Sequence, residues 1–495
     1  MINLLGRNIH KIFILMVGAI LIAISIIISQ DYIGTNQGTL QHNTYRSAQA
    51  YDLPESINLS LYLPFLNKAG HPIYLGVETH APSNNMVMDR SEDANVSIIR
   101  YYGFSWRDIE PNNTDPQNYN WGSVDGSGII EMSNRGFEII GTVKFTPYWA
   151  QLRKGHACGP IAPEALDDFA QFVRALVKRY GAEPYNIKYW EFGNEPDVET
   201  DHVNGDNIFG CWGDQDDEYY GGGYYAEMLK NVYPVIQDED PHAYVLIGSL
   251  LLDCDPENPP DGKDCASAKF FEGILRNGGA SYFDLVGFHG YPLYFGDMGF
   301  DEKYPAWQHR GGVVLGKADF LRDVMAKYGV NKPLMHTEGS FICPEYVSAC
   351  DNPDADFYEA QADYVVWLYV RNIAADIKAT IWYTIEGPGW RFGGMLNEAQ
   401  NPKPAYNVFK YMTSYLADSW YIGLVTNYSD PDLRAYEFQK NEKIIWVMWS
   451  VDEENGSNIN LPSGVIAVYD KYGVPINLVG NNITIKSPVY VEFDK

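Results

Sequence analysis

Two carboxylates stand at points where buried strands are predicted to end. Glu195 follows the apolar, aromatic run 188–192 and precedes Pro196, which cannot extend a strand ladder. Glu338 follows the apolar run 333–337 in the same manner. A protonated carboxyl group can donate a proton to a leaving oxygen while an ionised one attacks the anomeric carbon, so this pair has the residue types that glycosidic cleavage requires. The alternative interpretation of each residue is an ordinary acidic side chain at the end of a strand.

The two runs belong to a longer series. From about residue 70, short apolar runs alternate with longer amphipathic ones, which is typical of repeated βα units with a parallel sheet. Eight such runs occur, at 72–77, 96–102, 138–144, 188–192, 244–248, 283–288, 333–337 and 379–383. Eight parallel strands close a barrel, and the carboxyl ends of its strands form the catalytic rim. Strands four and seven would face each other across the lumen, which brings Glu195 and Glu338 together.

The segments between these runs have helical spacing, and the pattern of apolar and polar residues changes near residue 416. Residues 165–180, for example, place apolar side chains on one helical face and are followed by Gly181. After residue 416, short alternating runs are separated by turn residues without any helical pattern, which is typical of an antiparallel β domain. We therefore predict an α/β protein, with a (β/α)8 TIM barrel over 61–415 and a small C-terminal β-sandwich over 416–495.

The amino-terminal residues have a different character. Residues 12–29 are an uncharged, apolar run of 18 residues preceded by Arg7 and Lys11. A helix of this length can span a bilayer, and a cleaved signal peptide is the alternative. No small-residue cleavage site follows directly, so we expect residues 1–30 to be a membrane-anchor helix and the polar residues 31–60 to be a linker. The remaining chain would be extracytoplasmic and tethered to the membrane, or secreted if the segment is cleaved.

Composition and cysteine content restrict the partners and the compartment. The formal net charge of -28 argues against nucleic acid or an anionic membrane surface as a partner. Six cysteines fit an oxidising compartment. Cys254 with Cys265 and Cys343 with Cys350 flank short loops, and their local pairing would leave two cysteines, Cys158 and Cys211. Six cysteines allow fifteen connectivities, so the pairing stays open. The sequence has no zinc-binding motif, and we expect no metal or cofactor.

The ordered set of motifs resembles clan A of the glycoside hydrolases, the retaining (β/α)8 glycosidases. The resemblance depends on Trp190–Pro196 at strand four and Thr337–Gly339 at strand seven. Supporting motifs are Arg100 with 106–111 after strand two, 147–149 after strand three, 288–292 after strand six and Trp382 at strand eight. Within the clan, the Asn-Glu-Pro-Asp context and the small β domain are most similar to family 39, the β-xylosidase and α-L-iduronidase group. Family 5 is next.

The resemblance implies a role for each site residue. Glu195 would be the general acid/base, and Glu338 the nucleophile of a double displacement through a covalent glycosyl-enzyme. Asn194 would bind the sugar 2-hydroxyl. Tyr291 would orient Glu338, and Arg100 beneath Glu338 would favour its charged form. The remaining candidates for substrate contact are His289, His80, Trp382 and Trp149.

Several of these assignments have a structural alternative. His289 and His80 would contact sugar hydroxyls or else be core histidines, and Arg100 would otherwise be a structural barrel arginine. Trp382 and Trp149 are expected to be stacking platforms. The loop 198–223 after strand four is unusually long. If a disulfide between Cys158 and Cys211 tied it to the loop after strand three, Trp212 would be a further substrate contact.

The sequence thus predicts a retaining glycoside hydrolase that cleaves O-glycosidic bonds of a β-linked oligo- or polysaccharide. A barrel that binds polysaccharide without cleaving it is one alternative, and a transglycosylase of the same fold is another. The sugar, exo or endo action, and the oligomeric state do not follow from the sequence.

Overall fold

The structure is a computed structural model that describes residues 65–66, 72–199, 209–296, 300–347 and 350–495. The predicted anchor helix 1–30 and linker 31–60 lie outside these residues. Within the described part of the chain, no helix is both long enough and apolar enough to cross a membrane.

Eight parallel strands close the predicted barrel. In chain order they are Pro72–Thr79, Ile98–Ser105, Glu138–Lys144, Tyr189–Asn194, Tyr244–Leu250, Leu285–His289, Leu334–Gly339 and Ile377–Trp382, and we number them one to eight. Each pairs in parallel with the next, and strand one also pairs with strand eight. The prediction of a closed eight-stranded parallel barrel is therefore confirmed.

Helices surround the barrel because each buries one apolar stripe against the outer face of the sheet. The helix Leu166–Tyr180 does so with residues including Phe172, Val173 and Leu176. The other long helices are Asn85–Asp93, Gly222–Glu239, Lys269–Arg276, Val313–Lys327, Ala355–Ala374 and Pro404–Leu416. Short helices are Trp106–Ile109, Gly122–Asp125, Ile129–Asn134 and Phe300–Lys303. The helix predicted over 165–180 is present as Leu166–Tyr180.

The lumen is layered because every second side chain of a strand points inward. Its lower layer is an apolar cluster containing Ile98, Ile140, Tyr189, Leu246, Leu285, Met335, Ala379 and Ile381. Two residues further along strands two, three and four lie Arg100, Thr142 and Glu191, all fully buried. An apolar layer thus lies beneath a polar layer, which is next to the rim formed by the carboxyl ends of the strands.

An antiparallel sheet follows the barrel. Its strands are ordered Val465–Asp470, Val489–Asp494, Lys443–Ser450, Leu433–Lys440 and Trp420–Leu424. The last of these also pairs with the short strand Phe65–Leu66, which pairs with barrel strand one. A separate two-stranded sheet, Ser457–Asn460 with Asn482–Ile485, packs against the larger sheet through apolar residues including Ile459, Ile485 and Met448. The predicted C-terminal antiparallel domain is confirmed, with two strands, Trp420–Leu424 and Ser457–Asn460, in addition to those predicted.

An ion cluster with a buried Arg371–Asp301 pair joins the barrel to this sheet. Arg371 lies 2.9 Å from Asp301, which also accepts hydrogen bonds from the Tyr364 hydroxyl at 3.0 Å and the Val313 amide at 2.9 Å. The adjacent Glu302 accepts from Arg434 of strand Leu433–Lys440 at 2.7 Å. We call Asp301, Glu302, Arg371 and Arg434 the interface cluster.

Three disulfides link loops of the barrel. They join Cys158 to Cys211, Cys254 to Cys265, and Cys343 to Cys350. Two of them close short local loops, and the first ties the loop after strand three to the loop after strand four. This is the pairing that local proximity favoured among the fifteen possible.

Candidate active site

Glu195 lies immediately beyond the end of strand four. The strand ends at Asn194, and Glu195 has a φ of 53°, in the left-handed region that few residues other than glycine adopt. Its backbone N–H donates to the Ser249 carbonyl at 2.8 Å, which fixes this turn to strand five. Its carboxylate Oε1 is 2.7 Å from Nδ1 of His289, at the end of strand six. Strained backbone at a site of this kind is typical of functional residues.

Glu338 lies near the end of strand seven and has several hydrogen-bond donors around it. Nη1 of Arg100 donates to its Oε2 at 2.8 Å, and the Tyr291 hydroxyl donates to its Oε1. Nε2 of His289 is 3.6 Å from Oε2. His289 therefore lies between the two carboxylates, and a carboxylate oxygen of Glu195 and one of Glu338 are within 4.8 Å of each other.

Burial controls the protonation of these groups. It raises the pKa of Glu195 to about 7 and lowers the pKa of His289 to about 4. Burial also raises the pKa of Glu338, and the nearby His289 and Arg100 oppose that rise. At neutral pH, His289 is consequently an uncharged imidazole, while a large fraction of Glu195 keeps its proton.

Arg100 is held in the polar layer below the rim by further carboxylates. Its Nε donates to Glu191 at 2.8 Å, its Nη1 donates to Glu78 at 2.7 Å, and its Nη2 donates to the amide oxygen of Asn194 at 2.7 Å. Glu191 also accepts from the Thr142 hydroxyl at 2.6 Å. We call Arg100 with Glu78, Glu191 and Glu338 the lumen cluster.

Glu78 connects the lumen cluster to the outer rim. Burial alone would raise the pKa of Glu78, but the charge of Arg100 holds that pKa at about 2. Its other oxygen is 2.8 Å from Nε2 of His80, whose side chain is half exposed. The neighbourhood of His80 also includes Tyr383, with ring centroids 5.7 Å apart. His80 thus lies beside the site and contacts Glu78.

The structure brings most of the predicted site residues together. Six of them, Arg100, Asn194, Glu195, His289, Tyr291 and Glu338, form one continuous network of contacts at the mouth of the lumen. His80 joins this network through Glu78. Their roles toward a substrate stay predictions.

The three predicted tryptophans have other surroundings. Trp382 is fully buried and its indole N–H donates to the Gly393 carbonyl at 2.7 Å, so no face of the ring is open to a sugar. Trp149 is half-buried and packs edge-on against Trp106. Trp212 is nearly buried, and its ring stacks on Tyr224.

Trp212 nevertheless lies near the site. It lines a pocket together with residues including Asn194, Lys144 and Phe209. Cys158, whose disulfide to Cys211 ties the loop after strand three to the loop after strand four, lines the same pocket. Direct contact between Trp212 and substrate stays a prediction.

Several residues at the site were not singled out from the sequence. Glu78 and Glu191 hold Arg100. Tyr102 and Tyr383 lie at the mouth of the lumen, where burial raises the pKa of both hydroxyls and the nearby carboxylates of Glu78 and Glu338 raise it further. The ammonium of Lys144 is 3.1 Å from the centroid of the Tyr102 ring. Strand alternation is the signal that would have found them, because Tyr102 is two residues beyond Arg100 on the same strand.

The fold is similar to those of several solved structures. A family 39 glycoside hydrolase from Bacteroides cellulosilyticus matches with a TM-score of 0.62 at 16% identity, over 86% of this chain and 81% of that one. A conserved exported protein from Bacteroides fragilis matches with a TM-score of 0.60 at 12% identity, over 85% and 97%. A family 30 endoxylanase from Clostridium papyrosolvens matches with a TM-score of 0.54 at 12% identity, over 87% and 99%.

No protein-family model matches the sequence, and no curated protein sequence matches it either. The likeness to these solved structures spans most of each chain but has low sequence identity, so it concerns the fold. The predicted resemblance is confirmed at that level: the chain has the barrel architecture of the clan A glycoside hydrolases, with a family 39 enzyme among the structures it is similar to.

Proposed function

We propose that the protein is a retaining glycoside hydrolase that cleaves O-glycosidic bonds of a β-linked oligo- or polysaccharide. The observation that carries the proposal is the approach of Glu195 and Glu338, whose nearest described oxygens are within 4.8 Å of each other. Retaining enzymes have carboxyl groups about 5–5.5 Å apart, whereas inverting enzymes need about 6.5–9.5 Å to admit a water molecule. The fold shared with glycoside hydrolases supports the same assignment.

The first step would form a glycosyl-enzyme. Protonated Glu195 donates its proton to the leaving oxygen as the bond from that oxygen to the anomeric carbon breaks, and the Glu338 carboxylate forms a bond to that carbon. A pKa of about 7 suits Glu195 for this role, because a general acid must hold its proton at the working pH. His289, 2.7 Å away, is uncharged at neutral pH, so it places no positive charge beside Glu195 that would favour loss of the proton.

The second step would release the sugar. Glu195, now ionised, removes a proton from water as the water oxygen bonds to the anomeric carbon, and Glu338 leaves as a carboxylate. Arg100 and Tyr291 stabilise that carboxylate through charge-assisted hydrogen bonds. Arg100 also orients the Asn194 amide, which in this proposal meets the sugar 2-hydroxyl.

The proposed location is outside the cytoplasm. Three disulfides fit an oxidising compartment. Residues 12–29 would tether the protein to the membrane. Fractionation of cells expressing the full chain tests this, since a tethered protein would stay in the membrane pellet at high salt and be released by detergent.

A substrate screen tests the chemistry. The full protein is incubated with aryl β-xylosides and β-glucosides and with intact β-linked polysaccharides, and the configuration of the first product is followed by NMR. We expect hydrolysis with retention of configuration, and loss of turnover in Glu338→Gln with an unchanged unfolding transition. Glu227→Gln, on the outer helix Gly222–Glu239, is the matched control and should behave as wild type. Full activity in Glu338→Gln, or an inverted product, would overturn the proposal.

A further inference from the structure

Exposed apolar side chains of the barrel are concentrated on its catalytic face. Within the described barrel residues (72–199, 209–296, 300–347 and 350–416), the exposed large apolar side chains are Met86, Tyr148, Leu152, Tyr244, Phe295, Tyr346 and Trp390. All of them except Tyr244 lie on segments that follow the carboxyl end of a strand, whereas Tyr244 begins strand five at the opposite end. Single exposed apolar residues are normal, but a concentration on one face indicates a binding surface.

One group lies beside the nucleophile. The Trp390 side chain is 46% exposed, and its ring meets the Tyr291 ring edge-on with centroids 5.3 Å apart. Since the Tyr291 hydroxyl donates to Glu338, Trp390 is one side chain away from that carboxylate. The Arg391 guanidinium, 4.6 Å from the Trp390 ring centroid, supports the ring. Tyr346, on the loop after strand seven, is 70% exposed, and the adjacent Glu345 lies 3.9 Å from Arg391.

A second aromatic ring lies on the opposite side of the rim. Tyr148, 64% exposed, follows strand three, and in an eight-stranded barrel strand three lies across the lumen from strand seven. The Lys154 ammonium is 5.7 Å from the Tyr148 ring centroid and also donates to the Tyr148 carbonyl. Tyr148 thus follows the strand next to strand four, which leads to Glu195, whereas Trp390 follows strand eight, next to strand seven, which carries Glu338.

We propose that Tyr148 and Trp390 are sugar-stacking platforms on the two sides of the carboxylate pair, and that the substrate is a polysaccharide chain that crosses the rim and is cut internally. One face of a pyranose ring carries mainly C–H groups, which pack against a flat aromatic ring. A chain that is cut internally has several sugars on each side of the cleaved bond, whereas the release of a terminal sugar places only one sugar on the released side. The inference rests on the proposed hydrolase function, and it assigns the platforms to Tyr148 and Trp390 in place of Trp149 and Trp382.

The experiment compares Tyr148→Ala and Trp390→Ala with Tyr244→Ala, an exposed aromatic at the far end of the barrel. Soluble xylan, glucomannan and mixed-linkage β-glucan are the polymer probes, and aryl β-glycosides are the small ones. On the polymer that wild type cleaves, we expect viscosity to fall well before reducing ends accumulate. The KM for that polymer should rise about tenfold in each rim variant, and kcat/KM should fall further for the polymer than for the aryl glycoside, because the polymer occupies both platforms. Tyr244→Ala should match wild type.

The outcomes separate this inference from the proposed function. Release of single sugars from the start, or wild-type KM values in both rim variants, would overturn the platforms while leaving the hydrolase in place. If wild type cleaved no probe, affinity electrophoresis in gels containing the same polymers would still test the platforms. Retardation that is lost in Tyr148→Ala and Trp390→Ala would support them without hydrolysis, and no retardation of wild type would refute them.

Discussion

Two buried arginines, each surrounded by carboxylates, lie in different parts of the molecule. In the lumen cluster, Arg100 contacts three carboxylates, Glu78, Glu191 and Glu338, each at 2.7–2.8 Å. In the interface cluster, Arg371 and Arg434 face two carboxylates, Asp301 and Glu302. The interface cluster therefore has two cationic and two acidic side chains, whereas the lumen cluster has one cationic and three acidic side chains.

This difference in charge balance suits the interface cluster to a structural role and the lumen cluster to a chemical one. A buried ion pair with equal charges needs no proton to neutralise it, so it can hold two parts of a protein together over a wide pH range. Three carboxylates around one guanidinium cannot all ionise without strong repulsion, so proton binding shifts into the working pH range. This surplus is consistent with the raised pKa of Glu338 and the low pKa of Glu78. Perturbed carboxyl groups in a cleft are typical of catalysis.

The largest effect should come from removing the shared cation of the lumen cluster. Arg100→Met leaves three carboxylates without their partner, so we expect kcat/KM to fall by about 10²–10³-fold and the free energy of unfolding to fall by about 3–5 kcal/mol. Steady-state kinetics and urea unfolding measure the two losses. A variant that unfolds more easily but keeps wild-type kcat/KM per folded molecule would show that the lumen cluster is only structural.

Arg371→Met is the matched substitution in the interface cluster. It leaves Asp301 buried with its charge unpaired, so we expect a similar loss of about 3–5 kcal/mol in the free energy of unfolding. The kcat/KM per folded molecule should stay within about twofold of wild type, because this cluster does not contact the site residues. A large loss of kcat/KM in protein shown to be folded by circular dichroism would contradict the distinction between the clusters.

The proton on Glu195 gives the next prediction. Because burial raises its pKa to about 7, Glu195 is protonated below that pH and loses its proton above it. For a glycoside with a poor leaving group, kcat/KM should therefore decline as pH rises through about 7. Glu195→Gln should lower kcat/KM by about 10²–10⁴-fold and abolish this alkaline limb. An alkaline limb that persists unchanged in Glu195→Gln would assign it to another group.

Much of this arrangement could be predicted from the sequence, because parallel strands buried on both faces appear as short apolar runs. The eight barrel strands, and the two carboxylates at the carboxyl ends of strands four and seven, were found in this way. Trp420–Leu424 was not singled out, although its residues are apolar. Its side chains alternate between half-buried and exposed, so this apolar run does not belong to a strand buried on both faces.

The prediction for Trp382 did not take strand parity into account. Ile381 points into the lumen, so Trp382 must point outward toward the helices, where it packs near Tyr364. Tyr383 is then the residue that reaches the mouth of the lumen. The interface cluster was not predictable, because Asp301 and Arg371 are 70 residues apart in the chain and no local pattern links them.

The smallest predicted effect tests the charge surplus itself. Glu78 is one of the groups that raise the pKa of Glu338, so neutralising it in Glu78→Gln should lower that pKa. The acidic limb of the kcat/KM profile, where Glu338 must be ionised, should then move to lower pH by up to about one unit. The direction follows because removing a neighbouring negative charge makes the carboxylate easier to form. Glu302→Gln also neutralises a carboxylate beside an arginine, but in the interface cluster, and it should leave the limb in place. A shift to higher pH in Glu78→Gln, or equal shifts in both variants, would mean that the pH dependence does not originate in the unbalanced charges of the lumen.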